Sequence, residues 1–192
     1  VPYATSRVCS GQISQTYAKK ELNFDRKHYF RIIELKTAEL FAVACRLGAL
    51  VAGKSDAEAK ALEGFGMHLG CAYQIFDDVV DLFASESEIG KTLGTDLANG
   101  KFTLPLLILL ESMESEARTE WIALYQEGQT EVAIRNLEAL LVTNPILDKV
   151  QVEFEECLKN GKKSLEASSP IDNEHCSKLI QFVRQLFRTF KL

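Results

Sequence analysis

The chain has 192 residues, 46% of them hydrophobic and 26% charged, with a net charge of −5. That composition excludes a disordered tail, a collagen and a disulfide mini-protein, and the acidic balance excludes coating nucleic acid by bulk charge. A single domain is expected, and the longest apolar run, Leu104 to Leu110 with Pro105 inside it, falls far short of the roughly 20 residues of a membrane span.

Hydrophobic spacing is helical nearly everywhere, and no stretch sustains the strict alternation of a half-buried strand. Asp25 is placed to cap a helix through Ile32, Ile33, Lys36, Leu40, Phe41 and Cys45 toward Gly53. Ser55 and Glu58 form a capping box that opens a second long helix reaching about Phe83. Residues 84–103 carry Gly90, Gly94, Asn99 and Gly100 and read as a loop. Thr103 and Pro105 start a short apolar helix, since proline suits a first turn. Further helices are predicted over about 115–127, 130–143, 146–167 and 173–190. Asn144-Pro145 and Ser169-Pro170 separate the last three. The expected class is all-α, with long core helices.

The five cysteines (Cys9, Cys45, Cys71, Cys157, Cys176) include no CxxC pair, and most have apolar neighbours. They read as buried free thiols of a reducing cytoplasm. His28, His68 and His175 share no ligand spacing with them, so no zinc site is expected. The N-terminus lacks the basic-then-apolar order of a signal peptide.

The second long helix holds the strongest chemical signal. Asp77 and Asp81 are four apart, Asp78 and Asp81 three apart, and Gln74 lies three before Asp77 and four before Asp78. Such spacings put all four side chains on one helical stripe. Ile75, Phe76, Val79, Val80, Leu82 and Phe83 surround them, so the rest of the helix wants burial. Three like charges there repel, and the nearest basic residues along the sequence are Lys60 and Lys91. A bound cation is the natural compensation, and oxygen donors select a hard ion such as Mg2+ or Ca2+. No EF-hand loop is present.

The following segment runs from Gly90-Lys91 to Gly100-Lys101 and brackets Asp96. Glycine permits close backbone approach to a ligand, and lysine brings a mobile cation. Metal-binding carboxylates beside lysines make a diphosphate site. The segment is not a Walker A loop. Lys36-Thr37 adds a lysine and a hydroxyl in the middle of the first long helix.

Together these residues resemble the trans-isoprenyl diphosphate synthases, the polyprenyl synthetase family. Asp77-Asp78-Val79-Val80-Asp81 resembles the family's second aspartate-rich motif, DDxxD, with Tyr73-Gln74 where a Phe-Gln precedes it. Lys36-Thr37 resembles its Lys-Thr pair, and Lys91, Asp96, Lys101 and Thr103-Leu104-Pro105 its loop and next helix start. Gly11-Gln12-Ile13-Ser14-Gln15 resembles an upstream helix segment. The resemblance implies an isoprenoid synthase fold, with helices around a central cavity. It implies a prenyltransferase in isoprenoid biosynthesis that joins isopentenyl diphosphate to an allylic prenyl diphosphate. Mg2+, or Mn2+ in its place, would be held by Asp77, Asp78 and Asp81. Lys36, Lys91 and Lys101 would hold the diphosphate, and Thr37 and Gln74 would lie with Lys36 near the reacting centre. Homodimers are expected.

The departures are as informative. A first DDxxD upstream of Lys36-Thr37 is not present, since Asp25 is the only aspartate before Asp56. The chain starts at Val1, so residues 1–192 are read as the C-terminal half of a longer synthase domain, inactive alone. Gln15 stands where farnesyl-type members often carry a metal-binding aspartate, which leans toward a geranylgeranyl or longer product. Two other readings share these residues: a non-catalytic or regulatory synthase subunit, and a class I terpene cyclase.

Overall fold

A computed structural model describes residues 2–83, 101–143, 146–166 and 174–188. Among the described residues the helical spacing becomes nine α-helices, without strands. They are α1 (Pro2–Glu21), α2 (Arg26–Ile33), α3 (Glu39–Val51), α4 (Asp56–Phe83) and α5 (Leu104–Ser112), then α6 (Ser115–Gln126), α7 (Thr130–Thr143), α8 (Ile146–Glu166) and α9 (Glu174–Arg188). A π-helical turn, Glu34–Ala38, joins α2 to α3, so the first long helix of the sequence reading is one rod with a wider turn in its middle.

The expected start signals operate. The Asp25 carboxylate accepts the Lys27 backbone N–H at 3.0 Å. Glu58 accepts from the Ser55 backbone N–H at 2.9 Å and from its hydroxyl at 2.8 Å. Pro105 sits in the first turn of α5. The predicted loop over 84–103 is described only at Lys101-Phe102-Thr103; Gly90, Lys91 and Asp96 lie outside the described residues.

The core gathers on α4 and α5. Phe65, Leu69, Ala72, Ile75, Val79 and Leu82 recur on one face of α4 and are buried. Residues Leu104 to Leu110 are buried all round, so α5 runs through the interior rather than along a surface. At about 2 kcal/mol per buried leucine, such a helix is anchored by its whole circumference. Helix α4 lies between α3 on one side and α8 on the other. On the α3 side its backbone comes unusually close. A Cβ on Gly66 would stand 2.5 Å from the Phe41 carbonyl oxygen, and one on Gly70 would stand 2.6 Å from the Ala38 Cα. Ala38 and Ala42 are the buried small residues opposite them. This seam brings the carboxylate stripe of α4 beside Lys36-Thr37.

Arg26, at the start of α2, pairs with Glu111 at the end of α5 and, at 2.7 Å, with Glu153 on α8. The Trp121 Nε1 donates to the Ala133 carbonyl at 2.8 Å and fastens α6 to α7. None of the cysteines described is in a disulfide. Cys71, Cys157 and Cys176 are buried as expected, whereas Cys9 is exposed and Cys45 half-buried. Cys9 lies on α1, whose outer face is open in this chain. Among the described residues no helix is long and apolar enough to cross a membrane.

Candidate active site

The π turn sets the site. A residue added to one helical turn widens it and redirects the side chains it carries, and such turns recur at functional sites. Here it carries Thr37 to Gln74 on α4 and Lys36 to Gln15 on α1, while Leu35 and Ala38 stay buried. Helix α1 closes over the turn because Gly11 has no side chain: a Cβ there would lie 2.9 Å from both the Leu35 Cβ and the Lys36 backbone nitrogen. That approach lets Lys36 Nζ donate to Gln15 Oε1 at 2.7 Å.

Lys36, Thr37, Gln74, Asp78 and Lys101 line one cavity, whose apolar wall includes Ile32, Phe102 and Leu107. Thr37 Oγ1 donates to Gln74 Oε1 at 2.7 Å. Gln74 Nε2 donates to Asp77 Oδ2 at 3.1 Å and to Asp78 Oδ1 at 3.2 Å. Lys101 Nζ donates to Asp81 Oδ2 at 3.2 Å and stands 3.5 Å from Asp78 Oδ1. The stripe is therefore assembled as its spacing predicts, and its charge is offset in part by a lysine twenty residues beyond Asp81. Sequence distance hides that pairing, because Lys101 returns to α4 only through the connection after it.

The three aspartates differ in exposure. Asp81 is exposed and Asp77 is half-buried. Asp78 is 2% exposed, and Tyr29 O–H donates to its Oδ2 at 2.8 Å. Burial pushes the Asp78 carboxyl up to about 6, against Lys101, Tyr29 and Gln74, which each favour its charged form. Burial likewise lowers the Lys36 ammonium, and repulsion from Lys101 adds to it. Two cations share this cavity and feel each other, the condition under which a polyanion binds well.

Among the described residues no three carboxylate, imidazole or thiol side chains form a metal-holding group. The donor chemistry of Asp77 and Asp81 nonetheless fits a hard cation. Mg2+ is commonly held by one or two carboxylates, with phosphate oxygens and water completing its shell. Asp78 fits less well, since both its oxygens already take hydrogen bonds within the chain.

Tyr29 is a site residue that sequence spacing left unnamed. It reaches Asp78 from α2, a contact between elements that no local spacing signals. His28 also lines the cavity, and its buried Nε2 has no hydrogen-bond partner among the described residues. Lys91, by contrast, lies outside the described residues.

A family model described as polyprenyl synthetase matches residues 2–141. The chain belongs to this family. Among its relatives, the octaprenyl diphosphate synthase of Haemophilus influenzae is 35% identical over 145 residues, covering 76% of this chain and 44% of that protein. The heptaprenyl diphosphate synthase component 2 of Bacillus subtilis is 43% identical over 105 residues, covering 55% of this chain and 30% of that protein. A polyprenyl synthase from Caulobacter crescentus, solved in complex with calcium and isoprenyl diphosphate, superposes with a TM-score of 0.73 at 30% identity. That match covers 97% of this chain and 55% of the other. The all-α isoprenoid synthase fold is thereby shown. The chain spans less than half the length of the curated relatives it matches.

Proposed function

We propose that the protein carrying this chain is a Mg2+-dependent trans-prenyltransferase. It joins isopentenyl diphosphate to an allylic prenyl diphosphate, with geranylgeranyl or longer products. The observation that carries this reading is the convergence of Lys36, Thr37, Gln74, Asp78 and Lys101 on one cavity with an apolar wall. The names of the relatives, octaprenyl, heptaprenyl and geranylgeranyl diphosphate synthases, support it.

Breaking an allylic carbon–oxygen bond moves negative charge onto the leaving diphosphate. Cations fixed before the reaction stabilise that charge without reorganising. Lys36 and Lys101 supply such cations, and Lys91 joins them on the strength of its motif. Asp77 and Asp81 would hold Mg2+, or Mn2+, which when bound neutralises diphosphate oxygens as charge builds on them. Ile32, Phe102 and Leu107 offer an apolar wall that keeps water from a reactive allylic cation. Thr37 and Gln74 lie beside the carboxylates and so near the reacting centre. A homodimer belongs to the same reading, supported by the exposed Leu40, Leu47 and Leu50 on α3.

The test is incubation of the complete protein with Mg2+, isopentenyl diphosphate and allylic donors of increasing length, with products separated by chromatography. Prenyl transfer that EDTA abolishes and Mg2+ restores is the expected result. No elongated product with any donor overturns the reading. The name of the Bacillus relative, a component 2, supports a second reading in which the chain works beside a partner subunit. In that case activity returns only when the partner is co-expressed.

A further inference from the structure

We propose that Tyr29 is a positioning residue whose hydroxyl, acting through Asp78 and Gln74, fixes the direction in which Thr37 presents its oxygen to the cavity. The inference takes its assay from the prenyl-transfer reading and its content from four linked side chains. Tyr29 O–H donates to Asp78 Oδ2 at 2.8 Å. Gln74 Nε2 donates to Asp78 Oδ1 at 3.2 Å and to Asp77 Oδ2 at 3.1 Å. With its amide protons committed to carboxylates, Gln74 turns Oε1 to Thr37, which donates at 2.7 Å.

A threonine hydroxyl has one proton. Once given to Gln74, it leaves Thr37 able to meet a ligand only as an acceptor. Turning the amide over would aim its carbonyl oxygen at two carboxylates, so the carboxylates set the polarity of the chain. Tyr29 anchors them. It is 6% exposed, and a phenol ordinarily keeps its proton to about pH 10, so its hydroxyl is a donor at physiological pH. Without that hydroxyl, Asp78 loses its shortest hydrogen bond and is free to rotate. Gln74 then has no fixed orientation, and the Thr37 proton is released toward the cavity.

A mutant cycle in the complete protein tests this. Tyr29→Phe is expected to lower kcat about tenfold, the scale on which supporting residues act, with KM for the allylic substrate changed less than about threefold. In a Thr37→Val background the relay has no endpoint, so adding Tyr29→Phe is expected to change kcat less than about twofold. In a Thr37→Ser background, which keeps the hydroxyl, the tenfold loss is expected to return. Losses that multiply in the Thr37→Val background, or an unchanged kcat in Tyr29→Phe, overturn the proposal. A crystal structure of Tyr29→Phe decides it independently of turnover. A shifted Gln74 amide supports the relay, and Gln74 and Thr37 contacts identical to the parent's overturn it. If the parent protein transfers no prenyl group, the functional reading fails, while that structural comparison still decides the relay.

Discussion

Asp77 and Asp78 share a peptide bond yet face different surroundings. Asp78 turns inward to Tyr29, Gln74 and Lys101, while Asp77 is half-buried and takes a hydrogen bond from Gln74. Their substitution should therefore read differently. Asp77→Ala in the complete protein is expected to cut turnover by about 100-fold or more, at least the upper range for residues that merely support a metal ligand. The fold should survive, which circular dichroism checks; turnover within about threefold of the parent removes Asp77 from the metal site. His68 makes a separate prediction. Burial lowers its pKa, partly opposed by the Glu34 charge, so its folded value lies below the 6.5 of the unfolded chain. The folded state then binds fewer protons, and the stability this provides is full above 6.5 and lost as pH falls through the folded value. His68→Gln is expected to flatten the acid limb of stability below pH 6.5 in denaturant titrations. An acid limb as steep as the parent's counts against it.

At the scale of elements, the seam between α3 and α4 positions the site. Gly70→Ala drives a methyl into the Ala38 backbone, which cannot yield as a flexible side chain can. About 1–3 kcal/mol of destabilisation is expected in urea denaturation, the usual cost of overpacking. Turnover should fall with it, because Gln74 and Thr37 move apart; unaltered stability shows that the seam is looser than its geometry. Much at this level was legible in the sequence. Asp25, the Ser55–Glu58 box and Pro105 marked helix starts through local hydrogen bonds and dihedral preferences, which short stretches encode. The stripe from Gln74 to Asp81 was legible because helical spacing is periodic. The π turn was not, since its extra residue has no local composition and is held by what packs around it. Lys101 beside Asp78 and Tyr29 beneath it were hidden for the same reason: both contacts cross between elements.

At the scale of the molecule, the proposed function makes the cavity of Lys36, Gln74, Asp78 and Lys101 one wall of a metal–diphosphate site. The relatives are more than twice as long as the segment they share with it, and a first aspartate-rich motif is not among residues 1–192. Residues 1–192 expressed alone are expected to show no prenyl transfer with Mg2+, isopentenyl diphosphate and allylic donors. Robust turnover by this segment would show that a second carboxylate wall is dispensable. Its open faces are also informative. Tyr3, Ile13 and Tyr17 on α1 and Leu40, Leu47 and Leu50 on α3 are large apolar side chains left in water. They fit a chain that does not bury all its apolar surface by itself.

The π turn gives the rod from Arg26 to Val51 two phases. Ahead of it, Tyr29 must point at Asp78; behind it, Ala38 and Ala42 must point at Gly70 and Gly66. One helical residue is worth about 100° of rotation. Deleting a single residue between Glu34 and Ala38 would restore a regular helix and leave the two halves out of step. Either the tyrosine or the alanine seam could keep its partner, but not both. The extra residue works as a clutch between packing and chemistry, and a family alignment that closes this turn by a gap would describe a different cavity.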